Sequence, residues 1–283
     1  MLKRRYRAAR YVFDVTTDPT YTSLVEGLLA PFSLCEEVAT SGAPHYRLTY
    51  QPKEVEPYRL FLDGAELLGQ TILSGPIDRL LWEVHQAAIK CLDGLLALHA
   101  GAVSLGGRGL LLPAGPGSGK TTLVAGLVRA GCQYLSDDMA LIEPSTARLL
   151  PFPRPLLMSE SSIGLLPGLA GRLSPELDER ASGKRQVHPA SLRPDPIGTP
   201  VPVAGVIFPR YEPGSETALE PISRAAAVVE MIANSFNFAK VGGGALQLLA
   251  DTMENGFAYR MRVGRLSDAI AATMAQLAAN GTP

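Results

Sequence analysis

Eight residues, Ala114-Gly-Pro-Gly-Ser-Gly-Lys-Thr121, constrain this chain of 283 residues more than any other stretch. They follow the pattern G-x-x-x-x-G-K-[ST], with Ala in the first position. The apolar run Gly109 to Leu112 leads in, and a helical pattern from Lys120 to about Ala130 leads out and stops at Gly131. Glycines in such a loop let successive backbone N–H groups curl round an anion where side chains would collide. The helix N-terminus adds unsatisfied donors and the positive end of its dipole. Gly115, Pro116, Gly117, Ser118, Gly119, Lys120, Thr121 and Thr122 are therefore expected to hold nucleotide phosphates. Lys120 would reach the β- and γ-phosphates, and Thr121 would place its hydroxyl on Mg²⁺, so ATP and Mg²⁺ are the expected cofactors. A dinucleotide fingerprint is excluded, because G-x-G-x-x-G begun at Gly115 would need Gly where Lys120 stands.

Charge and composition narrow what else could bind. Lys plus Arg number 26 and Asp plus Glu 27, so the balance gives no bulk attraction to nucleic acid or an anionic membrane. Hydrophobic residues at 46% supply a core. Cys35, Cys91 and Cys132 are scattered and in no metal-ligand spacing, which fits a reducing compartment. The start is basic, but no apolar stretch follows before Asp14, and no run approaches the ~18 apolar residues of a membrane span. The expectation is a soluble cytoplasmic protein. Thirteen of the 23 prolines lie between Pro144 and Pro213, and that clustering marks a change of organisation.

Residues 1–75 read as a small β-rich N-terminal domain, with short strands at Arg10 to Val15, His45 to Tyr50 and Tyr58 to Leu62. Residues 76–283 read as a second, α/β domain. Ser74 and Pro76 punctuate the start of a helix whose apolar stripe is Ile77, Leu80, Leu81, Val84, Ala88 and Ile89. Leu95 to Leu105 reads as one strand, Gly106-Gly107 as a hairpin turn and Arg108 to Pro113 as the return strand. Cys132 to Ser136 and Met139 to Glu143 are extended, and the proline-rich stretch is expected as loops and short edge strands. Then come a buried-type strand at Val203 to Phe208 and a helix over Ser223 to Phe238. A break at Gly242-Gly243-Gly244 precedes a helix near Leu246 to Asn255, a strand at Phe257 to Val263 and a helix at Ser267 to Ala279.

Asp137-Asp138 ends the strand next after the loop's helix, only 17 residues beyond Lys120. One helix and one return strand can bring that pair back beside the loop, where adjacent carboxylates would point differently. His99 lies 21 residues before Lys120, on the strand paired with the one that feeds the loop.

In that order, Leu98-His99-Ala100-Gly101, Gly106-Gly107, Gly115 to Thr122 and Leu135-Ser136-Asp137-Asp138 resemble the HPr serine kinase/phosphorylase family. The resemblance covers roughly residues 90–280, and its specific part is 98–140. It implies an α/β fold with a P-loop core of the HPr kinase and phosphoenolpyruvate carboxykinase type. It also implies transfer of the γ-phosphate of ATP to a Ser or Thr hydroxyl, with Asp137 as base, His99 as its neighbour and Asp138 toward the metal. Asn237-Phe238 is similar to an Asn-Phe in the family's C-terminal part. The family's Glu-x-Arg-Gly signature is missing, and Glu160 in Met158-Ser-Glu-Ser-Ser stands as a positional candidate for its carboxylate. The resemblance is thus to a divergent, peptide-modifying type, whose partner is a peptide or small-protein acceptor, with a homo-oligomer left open. A small-molecule kinase on the same core and a non-catalytic nucleotide sensor are the alternatives. The basic stretch Arg180, Lys184, Arg185 and Arg193 could clamp a phosphate or lie in solvent, and Arg210 at a strand end has the same two readings.

Overall fold

The computed structural model describes residues 3–32, 42–173 and 183–279. The fold is mixed α/β, built on several sheets. Five strands, β1 (Lys3–Ala8), β2 (Tyr11–Thr17), β3 (His45–Tyr50), β4 (Tyr58–Leu62) and β5 (Ala65–Gln70), form the first sheet in sequence order. All neighbours are antiparallel except β2 and β3, which are joined through helix α1 (Thr22–Leu29). Two strands and α1 were absent from the sequence reading. β1 reads as a charged run because Lys3, Arg4 and Arg7 are exposed and Arg5 is half-buried on Asp14, while Tyr6 and Ala8 fill the core.

Helix α2 (Ser74–Lys90) buries the expected stripe of Ile77, Leu80, Leu81, Val84 and Ala88. Leu73 rather than Ser74 occupies its N-cap, and Ser74 lies inside the first turn and is buried. The stripe packs on the first sheet, in a core cluster that continues to Ala97, Met139, Leu141 and Phe152.

The expected strand over residues 95–105 is two strands, β6 (Leu96–Leu98) and β7 (Ala100–Leu105), separated at His99. β7 returns through Gly106-Gly107 into β8 (Arg108–Pro113), which runs into the Gly-rich loop and α3 (Lys120–Arg129). β9 (Gln133–Ser136) pairs antiparallel with β7, and β10 (Ala140–Glu143) pairs with β6 and with β11 (Arg148–Leu150). The proline-rich stretch holds a small ladder, β12 (Leu156–Ser159) with β13 (Lys184–Val187), and the one-turn helices α4 (Glu160–Gly164) and α5 (Pro189–Leu192). β14 (Val201–Tyr211) runs parallel to β8 and is longer than expected at both ends.

β15 (Ala218–Pro221), α6 (Arg224–Ala233), α7 (Phe238–Val241) and α8 (Gly243–Thr252) follow, then β16 (Phe257–Val263), parallel to β14, and α9 (Leu266–Ala279). Two further core clusters result. One packs β8, β14 and β16 side chains against α3 and α9, and the other packs the opposite face against α6 and α8. No helix among the described residues is long and apolar enough to cross a membrane.

Candidate functional site

Strands β8, β14 and β16 are parallel, so their C-terminal ends share one edge of the sheet, where ligands bind in open α/β folds. The Gly-rich loop leaves β8 at that edge. Antiparallel β7 begins there, with Ala100 opposite Pro113, and antiparallel β9 finishes there, with Ser136 opposite Ala102. Topology therefore brings His99 and Asp137-Asp138 to one side of the loop and the ends of β14 and β16 to the other.

Two glycines allow the close approaches this requires. Gly119 caps α3 at φ +83°, and a Cβ on it would lie 3.3 Å from that of Tyr211, whose N–H donates to the Ser118 carbonyl at 3.0 Å. A Cβ on Gly101 of β7 would fall 2.5 Å from Val124 Cγ2 and 3.3 Å from Lys120 Cγ. Strand and helix consequently pack hard against each other, and the Lys120 stem is enclosed between them. Lys120 is 5% exposed, and its Nζ has no hydrogen-bond partner among the described residues. The charge facing it is Asp138 Oδ1 at 3.7 Å.

The adjacent carboxylates do diverge. Thr121 Oγ1 donates to Asp137 Oδ2 at 2.9 Å, and the other Asp137 oxygen is buried without a partner among the described residues. Asp138 turns to the cations, with Arg154 Nη1 at 3.0 Å from its Oδ2. Burial, then the neighbouring Asp138 charge, pushes the Asp137 carboxyl well above its ordinary range. For Asp138 burial works upward too, but Arg154 and Lys120 together outweigh it and hold the group below the carboxylate range. His99 is shifted down by burial and by Lys120, against an upward pull from Asp138. Its ring lies 5.7 Å from that of Phe236, and its backbone N–H donates to the Asn234 carbonyl. His85 of α2 joins the same group, 5.9 Å from Phe152 and 6.3 Å from Phe236, and burial first, with Arg154 second, lowers it to about 4.

Of the residues expected from sequence, Lys120, Thr121, Asp137 and Asp138 converge, and the charges that act on His99 are those of Lys120 and Asp138. The Ser118 hydroxyl is buried inside the loop without a partner among the described residues. Thr122 turns away, donating to Ser162 of α4 at 2.9 Å. Glu160 points outward and lies 3.8 Å from Arg185, so it brings no third carboxylate to the pair. Arg193 donates to the Gly131 and Cys132 carbonyls, fastening the end of α3, and Lys184 is exposed. Arg180 lies outside the described residues, as does Cys35. Arg154 and His85 were missed. Arg154 sits in Phe152-Pro-Arg-Pro155, which reads as one more piece of proline-rich loop, and His85 reads as a packing or surface residue of its helix.

Beyond the loop, on the β14 and β16 side, a cleft of about 760 Å³ runs along Pro113 to Ser118 and is walled by Arg210, Tyr211 and Arg260. Among the described residues no group of three or more His, Cys, Asp or Glu is arranged to hold a metal ion alone. The Thr121 hydroxyl and the unpartnered Asp137 oxygen make a partial oxygen set, which suits Mg²⁺, an ion that usually takes one or two protein ligands and completes its shell with phosphates and water.

No family model matches the chain, and no curated protein matches it. Among solved structures, the chain is similar to the HPr(Ser) kinase/phosphatase from Coxiella burnetii, at 13% identity and a TM-score of 0.29, over 65% of this chain and 99% of that one.

Proposed function

We propose that this protein is a kinase that transfers the γ-phosphate of ATP to a Ser or Thr hydroxyl of a peptide or small protein. The observation that carries this reading is the Lys120 ammonium, buried at the start of α3 without a hydrogen bond among the described residues and with two divergent carboxylates beside it. A buried ammonium lacking acceptors is costly, and a phosphate cradled by the loop amides would supply them. The cleft on the far side of the loop has room for a nucleoside.

The geometry favours exchanging the two aspartate roles expected from sequence. Thr121 and Asp137 would hold Mg²⁺, which when bound neutralises phosphate charge and orients the β- and γ-oxygens. Asp138, held ionised and facing Lys120, would accept the proton. The acceptor oxygen forms its bond to the γ-phosphorus as the bond to the β–γ bridging oxygen breaks. The hydroxyl proton passes to Asp138, and ADP leaves with the bridging oxygen. Positioning and charge neutralisation carry most of the rate in such a loose transition state, with the base adding a smaller factor.

Incubation with γ-labelled ATP, Mg²⁺ and hydroxyl-bearing peptides tests the reading. Label on Ser or Thr is expected. Label only on a small metabolite would move the acceptor class, and tight ATP binding with no transfer would leave a nucleotide sensor in its place.

A further inference from the structure

We infer that Arg154 is the second cation of the phosphoryl-transfer site and binds the γ-phosphoryl group together with Lys120, an inference that rests on the proposed function. Arg154 lies between Pro153 and Pro155, in a segment tied to β9 at two points. Phe152 N–H donates to the Leu135 carbonyl at 2.8 Å, and the hydroxyl of fully buried Tyr134 donates to the Arg154 carbonyl at 2.8 Å. Phe152 itself is buried in the core between the first sheet and α2. The guanidinium is thus delivered to the loop's acid side by a backbone with little freedom to move.

Its surroundings are short of negative charge. Lys120 and Arg154 face one carboxylate from opposite oxygens, Asp138 Oδ1 and Oδ2. Asp137 is engaged by Thr121. Lys120 Nζ and Arg154 Nε are both buried without a hydrogen-bond partner among the described residues. Two enclosed cations with unfilled donors around one carboxylate want a second anion carrying several acceptor oxygens. A phosphoryl group has that chemistry, and the planar guanidinium fork fits it in two-point fashion. Because Arg154 pairs with Asp138, the carboxylate proposed to take the acceptor's proton, the phosphoryl it meets is the terminal one, next to the acceptor.

A structural ion pair with Asp138 would make no distinction between nucleotides, so the test compares two of them. Affinities for ADP and for the non-hydrolysable β,γ-imido analogue of ATP, both with Mg²⁺, are measured by calorimetry on the full chain. Arg154→Gln keeps much of the bulk and a donor toward Asp138, and Arg154→Lys keeps the charge. The expected result for Arg154→Gln is ADP affinity within about threefold of wild type and triphosphate affinity lower by roughly 10- to 100-fold. Arg154→Lys should recover part of that loss. Equal losses for both nucleotides, or an unchanged triphosphate affinity, would overturn the inference while leaving the kinase reading in place. A wild-type protein that binds neither nucleotide would overturn both.

Discussion

Lys120 and the two aspartates divide the chemistry at the level of single atoms, and each can be removed separately. Lys120→Ala takes away the buried ammonium that the loop is built around, and phosphoryl transfer should fall below detection with the fold intact by circular dichroism. Asp138→Asn preserves shape but cannot accept a proton. It should slow single-turnover transfer by roughly 10²- to 10⁴-fold with ATP still bound, and normal quench-flow rates would remove Asp138 from that role. Asp137→Asn should act differently, raising the Mg²⁺ concentration needed for half-maximal rate at saturating ATP. The loop and the acid pair were legible because each is a local pattern, set by adjacent residues and one short spacing. Which aspartate meets Thr121 was not, since it depends on how the chain turns after Ser136. Arg154 was hidden for the same kind of reason. Nothing in Pro-Arg-Pro indicates that Tyr134 and Leu135 hold it over Asp138.

At the scale of elements, long-range hydrogen bonds decide where strands and helices stop. Residues 95–105 are mostly apolar and read as one strand, yet the chain breaks at His99 because it changes neighbours within the nine-stranded sheet: β6 pairs with β10, and β7 with β8 and β9. The break is held by residues 234–237, and α6 ends at Ala233, five residues short of the helix expected to reach Phe238. The Asn234 carbonyl accepts from His99 N–H, Phe236 N–H donates to the Ala97 carbonyl, and the Asn237 side chain bonds both the Ala97 N–H and the Leu95 carbonyl. Asn237 of the Asn-Phe pair is therefore a clamp on β6, about 140 positions away in sequence. Asn237→Ala leaves a buried donor and a buried acceptor unpaired and should cost about 2–4 kcal/mol. The measurement is urea unfolding, and a loss under about 1 kcal/mol would mean that Asn237 does not hold the strand.

Across the whole molecule, the N-terminal sheet and the acid side of the site are connected through one core. Phe152 packs in that core, and its neighbour His85 on α2 is buried beside Arg154, Asp138 and Lys120. Burial lowers the His85 pKa to about 4 from 6.5, so between those values the unfolded chain binds more protons than the folded one. This contribution is fully present above pH 6.5 and is lost as pH falls toward 4. Relative to His85→Phe, wild type should lose about 2–3 kcal/mol of unfolding free energy between pH 7.5 and pH 4.5, read from urea titrations at both. A constant difference between the two proteins would place His85 in solvent. The α2 stripe was legible from its period, whereas the surface it covers was not, because β1, β5 and α1 carry weak local patterns and gain their order from packing. The central claim, phosphoryl transfer at the Gly-rich loop, is met most directly by one paired assay. Wild type and Lys120→Ala are given γ-labelled ATP, Mg²⁺ and hydroxyl-bearing peptides, and the label on peptide is counted. Label transferred by wild type and absent with Lys120→Ala is the predicted result. Equal labelling by both, or ATP bound by wild type with no label moved to any hydroxyl, would contradict it.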